Sequence, residues 1–197
     1  MKYGELNLGQ VEAIVNKLGG MEGALRFLRD EFVVKAAECA FKVWRTIKLG
    51  TGLTTADDFR NALRASGYRV SDWASDIMSK PAFTASTEEK ELGLVIVSLA
   101  ELGFKNRAKR EDVYKRVQEL GLDLCPAEVG PQLRLQYKDQ PKGEWLFIAM
   151  EPITDSGGNF GVFSVGHDGD DRWLGSDDGN PGIFWSGHNR WVFARRK

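Results

Sequence analysis

From Trp145 to the C-terminus, short apolar segments alternate with turn sequences, and this alternation restricts the fold more than any other feature of the chain. The turns are rich in Gly, Asn and Asp, as in Ser156–Asn159 and Asp168–Asp170. Apolar segments separated in this way are typical of strands joined by tight turns. The sequence therefore predicts an antiparallel sheet with strands at Trp145–Met150, Phe160–Val165, Arg172–Leu174, Ile183–Trp185 and Trp191–Phe193.

The N-terminal half carries signals of helices instead. Asn7 and Gln10 have the spacing of a capping box, and apolar residues follow with helical periodicity. Thr55 and Ser71 are good N-cap residues before two further amphipathic segments. These patterns predict a helical region that ends near Pro81.

Another helical pattern runs from Phe32 to Ile47. It is followed by Lys48 and Gly50, residue types that helix C-termini favour. Cys39 lies on the apolar side of this pattern. A cysteine in that position is expected to be a buried and inert thiol.

A polar passage, Thr84–Lys90, separates the two kinds of pattern. We therefore predict a helical subdomain at residues 1–84 and an α+β subdomain at residues 85–197. The β-branched run Leu92–Leu99 predicts a buried strand. The predicted fold class is α+β, with a helical N-terminal half followed by an antiparallel β-sheet and one or two packed helices.

The net charge, the length of the apolar runs and the number of cysteines exclude several classes of protein. The net charge of −1 provides no overall attraction to nucleic acid or to an anionic membrane. The longest apolar run is too short to cross a bilayer, and the first residues lack the apolar region of a secretory signal. With only 2 cysteines, no disulfide framework is expected. We expect a cytoplasmic protein without a membrane partner.

Gly121–Ile153 is the densest run of unusual residues, with Cys125-Pro126 and Gly130-Pro131 close together. Residues 126–138 allow two interpretations. Cys125 as N-cap with proline in the first turn favours a helix, whereas the alternation of apolar and polar residues after Pro131 favours a strand. We expect a helix that is broken or restarted near Gly130-Pro131.

Cys125 is the sharpest candidate for catalysis, because a thiol at a helix N-terminus is activated as a thiolate. His167 or His188 would then act as the base, with Glu128 nearby. The alternative is a cysteine that fills the edge of the core. The two histidines and the Asp168–Asp171 turn also contain metal-ligand types, but turns use these residues for backbone reasons, so we expect no metal and no cofactor.

Charge is unevenly distributed along the chain. Lys105–Arg116 contains six basic and two acidic residues, and Ile183–Lys197 contains four basic residues and no acidic one. Glu151–Gly182, in contrast, contains seven acidic residues and one basic one. The two basic segments either contact nucleic acid or offset the acidic loops. We favour the second interpretation, because phosphate binding needs a contiguous patch.

Three blocks of the chain, GYRVSDWASDIMSKPAF, LGLDLCPAEVGPQLRLQYKDQPKGEWL and AMEPITDSGGN, resemble a family of uncharacterised bacterial proteins, mostly known from metagenomic genomes. The resemblance runs from about Leu49 to the C-terminus, and Cys125–Trp145 is its most distinctive part. It implies a bacterial origin and a cytoplasmic setting. It assigns no catalytic residue and no function.

No spaced set of acid, base, nucleophile or metal ligands stands out, so our leading hypothesis is a small interaction or regulatory module that acts by binding, with another protein as its partner. The expected contact surface is Cys125–Trp145 together with the two hairpins that contain Gly166-His167 and Gly187-His188. A Cys- or metal-dependent hydrolase is the first alternative, and a nucleic-acid-binding accessory protein is the second. The polar members of the expected surface are Glu128, Arg134, Gln136 and Glu144.

Overall fold

The structure is a computed structural model that describes residues 7–31 and 41–196. The chain divides into two compact units, Met1–Glu38 and Cys39–Lys197. In the first unit, α1 (Leu8–Lys17) and α2 (Gly20–Leu28) pack against each other. The predicted capping box at Asn7 is confirmed, since its side chain accepts a hydrogen bond from the Gln10 backbone N–H at 2.9 Å. Cys39 and its predicted inert thiol lie outside the described residues.

The second unit contains the remaining elements. Its helices are α3 (Ala56–Ala65), α4 (Asp72–Met78), α5 (Arg110–Glu119) and α6 (Val129–Gln136). Its first strands are β1 (Arg45–Leu49), β2 (Arg69–Val70), β3 (Lys90–Ser98), β4 (Arg107–Lys109) and β5 (Leu122–Asp123). The later strands are β6 (Trp145–Ile148), β7 (Ile153–Thr154), β8 (Phe160–Asp168), β9 (Asp171–Asp178), β10 (Phe184–Ser186) and β11 (Arg190–Arg195).

The predicted α+β class is confirmed, and the predicted C-terminal strands all lie in two sheets. The large sheet has the strand order β1-β3-β11-β6-β8-β9-β2, with β5 beside β11 and β7 beside β8. Most neighbours are antiparallel, but β11 runs parallel to β6 and β2 runs parallel to β9. A parallel pair needs a long crossover connection, and the β7–β10 segment supplies one between β6 and β11. The sheet is therefore mixed.

The predicted helix from Phe32 to Ile47 is wrong at its C-terminal end, where β1 begins at Arg45. Ile47 lies opposite Leu92 in the antiparallel β1–β3 pair, and its side chain is buried. Pairing with β3 overrides the helical spacing, because β-branched residues fit a pleated surface well. The boundary predicted near residue 84 lies within the second compact unit.

Helix α6 packs across the sheet and contacts β1, β8 and β9. Its Gly130 allows a close approach, since a Cβ atom there would lie 2.6 Å from Cβ of Phe163 on β8. Phe163 also packs edge-to-face on Phe83, which in turn packs edge-to-face on Phe59 of α3. These rings join the helices to the sheet in one continuous core.

Strands β4 and β10 form a separate two-stranded ribbon, and α5 begins at the residue after β4. The backbone N–H of Arg110, the first residue of α5, donates to the carbonyl oxygen of Ile183 at 3.1 Å. This bond ties the start of α5 to the segment leading into β10. Within the described part of the chain, no helix has the length and apolar character needed to cross a membrane.

Candidate functional site

Cys125 does not cap a helix, because α6 begins only at Val129. Cys125 instead forms a bridge with Met150, and its backbone N–H donates to Ala149 at 2.7 Å. Its thiol donates to the carbonyl oxygen of Val192 at 3.4 Å and is buried. Burial raises the pKa of the Cys125 thiol well above its usual range. The helix-dipole argument for a reactive thiolate therefore does not apply to this residue.

The two histidines have different surroundings. His167 is buried in β8, and its Nδ1 lies 2.7 Å from the carbonyl oxygen of Gln140. His188 is exposed in the turn between β10 and β11. Among residues 7–31 and 41–196, no three His, Cys, Asp or Glu side chains are grouped so that they could hold a metal ion.

Glu128 and Gln136 hold α6 against the end of β1. The buried Glu128 carboxylate accepts hydrogen bonds from the backbone N–H groups of Gly50 and Ser86, each at 2.8 Å. The Gln136 amide bonds both backbone groups of Lys48, accepting at 2.9 Å and donating at 2.8 Å. Both side chains therefore serve contacts within the protein.

Arg134 is fully buried and forms no ion pair with a described residue. Its guanidinium donates to the carbonyl oxygen of Gly166 at 3.2 Å, to that of Tyr137 and to the side chain of Gln140. It also lies 4.9 Å from the ring centre of Tyr68. Burial lowers the pKa of Arg134 to about 10. This network joins the end of α6 to β8.

Glu144 differs from the other three predicted contact residues, because it borders a surface cavity. One carboxylate oxygen accepts from the Tyr137 hydroxyl at 2.7 Å, and the other pairs with Arg190 at 2.9 Å. Glu144 therefore neutralises an arginine at the cavity wall. Glu144 is thus a residue predicted for binding that lines a cavity.

The β4–β10 ribbon pairs the first basic segment with the start of the second, and its two cations, Arg107 and Lys109, both come from the first. In its antiparallel register, Ser186 lies opposite Arg107 and Phe184 lies opposite Lys109. Trp185, paired with Ala108, faces inward and is buried. We call the outward side of the ribbon the basic ribbon; it consists of Arg107, Lys109, Phe184 and Ser186. Phe184 is 55 % exposed there and lies opposite Lys109, whose ammonium is 3.7 Å from the Glu111 carboxylate.

A cavity of about 440 Å³ lies at the end of this ribbon. Lys105, Arg107 and His188 contribute its charged or titratable groups, and none of its lining residues is acidic. Lys105 and Arg107 form no ion pair within the described chain. A Cβ atom at Gly187 would lie 2.8 Å from the carbonyl oxygen of Asn106, so a glycine is needed for the two walls to approach. The lining residues are Ala100, Phe104, Lys105, Asn106, Arg107, Ser186, Gly187 and His188.

A second cavity of about 590 Å³ adjoins the first, because His188 lines both. Lys142 and Arg190 add two cations to its wall, paired with Asp170 at 2.7 Å and with Glu144 at 2.9 Å. Its lining residues are Pro141, Lys142, Gly143, Glu144, Trp145, Phe147, His188, Asn189 and Arg190. We call the two adjoining cavities the groove.

A third cavity, of about 400 Å³, has the opposite charge. Trp73 and Phe160 are exposed at its wall beside Asp155, Asp177 and Asp178. The Asp155 carboxylate accepts the backbone N–H groups of Gly157 and Asn159, each at 2.8 Å. The Asp155 carboxylate thus stabilises the turn in which it lies.

No protein-family model, curated protein or solved structure matches this chain. The sequence pointed to both basic segments and to Glu144 and His188 separately. The pairing of β4 with β10 brings these segments next to each other. No local sequence pattern indicates this pairing, because the two strands are far apart in the chain.

Proposed function

We propose that this chain acts by binding and that its ligand is a nucleic acid, held by its phosphates along the basic ribbon and the groove. One observation carries the proposal: the β4–β10 register places Arg107 and Lys109 on the same exposed face as Phe184, and Arg107 also lines a cavity with Lys105 and His188. Phosphate binding requires a contiguous patch, and Lys105, Arg107 and Lys109 lie close together on and just before β4.

The exposure of two cations and their lack of ion pairs within the described chain support nucleic acid as the ligand. Lys105 and Arg107 are exposed and form no ion pair among the described residues, so binding a phosphate breaks no existing bridge. A phosphate attracts such side chains and releases counterions from the nucleic acid. An exposed aromatic beside them adds a surface on which a base or sugar packs.

The other functions predicted from the sequence are supported less well. Glu128 and Arg134 are buried, and Gln136 bonds to the backbone of Lys48, so these three side chains already make contacts within the chain. Cysteine catalysis needs an accessible thiolate, and Cys125 is 4 % exposed. The bacterial origin and the cytoplasmic setting stay predictions from the sequence.

Charge reversal tests the proposal. Lys105→Glu and Arg107→Glu should each weaken the binding of a fluorescent oligonucleotide of about 15 nucleotides by roughly ten-fold at low salt. The matched control is Lys90→Glu, because Lys90 is exposed at the opposite end of β3 from Ser98, which leads to the groove. Fluorescence anisotropy measures the affinity. Equal affinities for the wild type and the two groove variants would overturn the proposal.

A further inference from the structure

The indole ring of Trp145 packs against the sheet at two glycines, Gly166 and Gly175. Trp145 is the first residue of β6 and pairs with Gly166 of β8. A Cβ atom at Gly166 would lie 2.5 Å from the indole, and one at Gly175 of β9 would lie 3.5 Å from it. The absence of side chains at these two positions lets the indole pack directly against the sheet backbone.

The exposed part of this indole borders the groove. Trp145 is 39 % exposed and lines the second cavity together with Phe147, Lys142 and Arg190. An indole held against a rigid sheet has little conformational freedom to lose when a flat ring packs on it. Lys142 and Arg190 supply cations to the wall of the same cavity, although each is also paired with a carboxylate.

From this geometry we infer that Trp145 is a stacking platform for an unpaired base and that the groove takes a single-stranded nucleic acid. The inference rests on the proposed function and specifies its ligand class. Lys105 and Arg107 bind phosphates of the same strand at the adjoining cavity. A duplex is a poor ligand, because its bases are stacked on each other and their faces are inaccessible. Aromatic platforms beside cationic grooves bind single strands with little dependence on sequence.

The test compares two strands with the same phosphates. One is an oligothymidylate of about 12 nucleotides, and the other has abasic sites at every position. The wild type should bind the thymidylate about ten-fold more tightly than the abasic strand, and Trp145→Leu should lose this preference while its affinity for the abasic strand stays unchanged. Trp73→Leu is the matched control, since Trp73 is an exposed tryptophan that lines a different cavity.

A second variant separates stacking from a general loss of structure. Trp145→Phe keeps a flat ring and should keep most of the preference for thymidylate. Binding should quench tryptophan fluorescence in the wild type, and Trp145→Phe should lose this quenching. Retention of the full quenching in Trp145→Phe would overturn the inference.

Other outcomes separate this inference from the proposed function. Equal wild-type affinity for the thymidylate and abasic strands, or for a thymidylate–adenylate duplex, would overturn the stacking role and leave phosphate binding intact. If the wild type binds no strand at low salt, both the proposed function and this inference fail.

Discussion

At the scale of single residues, burial decides what Cys125 can do. Its thiol donates to Val192, and its backbone continues the sheet beside Ala149. A thiolate at this position would be desolvated without a compensating charge, which is why its pKa rises. The residue is a component of the core.

The first prediction concerns the reactivity of this thiol. In a Cys39→Ser variant, a disulfide reagent near pH 8 should modify Cys125 only as fast as the protein opens, because the folded state offers no accessible thiolate. Adding urea should accelerate the reaction. Absorbance of the released thiol measures the rate, and fast, complete modification of the folded protein would contradict the prediction.

At the scale of elements, the contact of α6 with β8 depends on one glycine. Gly130→Ala should lower the free energy of unfolding by ~2 kcal/mol, because the added methyl group would overlap the Phe163 side chain. The overlap is at Cβ of Phe163, and rotation of that side chain does not move this atom away. Urea denaturation measures the change. Gly182→Ala is the control, since its Cβ atom would meet its nearest neighbour at 3.6 Å and should change stability little. Equal stability of the two variants would contradict the packing argument.

A second contact between elements depends on pH. The Asp76 carboxylate of α4 accepts from the side chain of Ser156 at 2.7 Å and from its backbone N–H at 2.6 Å, in the turn before β8. These bonds, with help from Lys80, lower the pKa of Asp76 from 3.8 to about 2. The folded state therefore binds this proton less readily than the unfolded state. The stabilisation is complete above the unfolded pKa and is lost as the pH falls through about 2.

Asp76→Asn should accordingly be less stable than the wild type near neutral pH, and the difference should shrink between about pH 4 and about pH 2. Urea denaturation at a series of pH values measures both proteins. Asp72→Asn, on the same helix, is the control for removing a charge from α4. A difference that stays constant over the whole range would show that the Ser156 bonds do not depend on the carboxylate's charge.

The sequence predicts structure that depends on nearby residues and fails where distant segments pair. The sequence identifies Ser71 and Thr55 as caps because their partners lie three residues away, and both bonds are present at 3.1 Å. The helix expected through Ile47 was wrong because its pairing with Leu92 is a long-range contact. A local pattern contains no information about which distant strand will pair with it.

At the scale of the whole molecule, charge is separated although the net charge is −1. Lys105–Arg116 and the segment after Ile183 meet through the β4–β10 ribbon, whereas the cavity beside Trp73 is acidic. The sequence revealed both basic segments, but their contact depends on a register between distant strands. The groove therefore cannot be predicted from the sequence, whose local patterns favour the offsetting of charges.

The dependence of oligonucleotide affinity on salt tests the central claim most directly. If about 3 phosphates are neutralised by the groove, the logarithm of the association constant should fall with the logarithm of salt concentration with a slope of about −2. Arg107→Glu should make this slope shallower, and Lys90→Glu should not. Affinity that does not change with salt, or no binding at the lowest salt, would contradict a phosphate-binding groove.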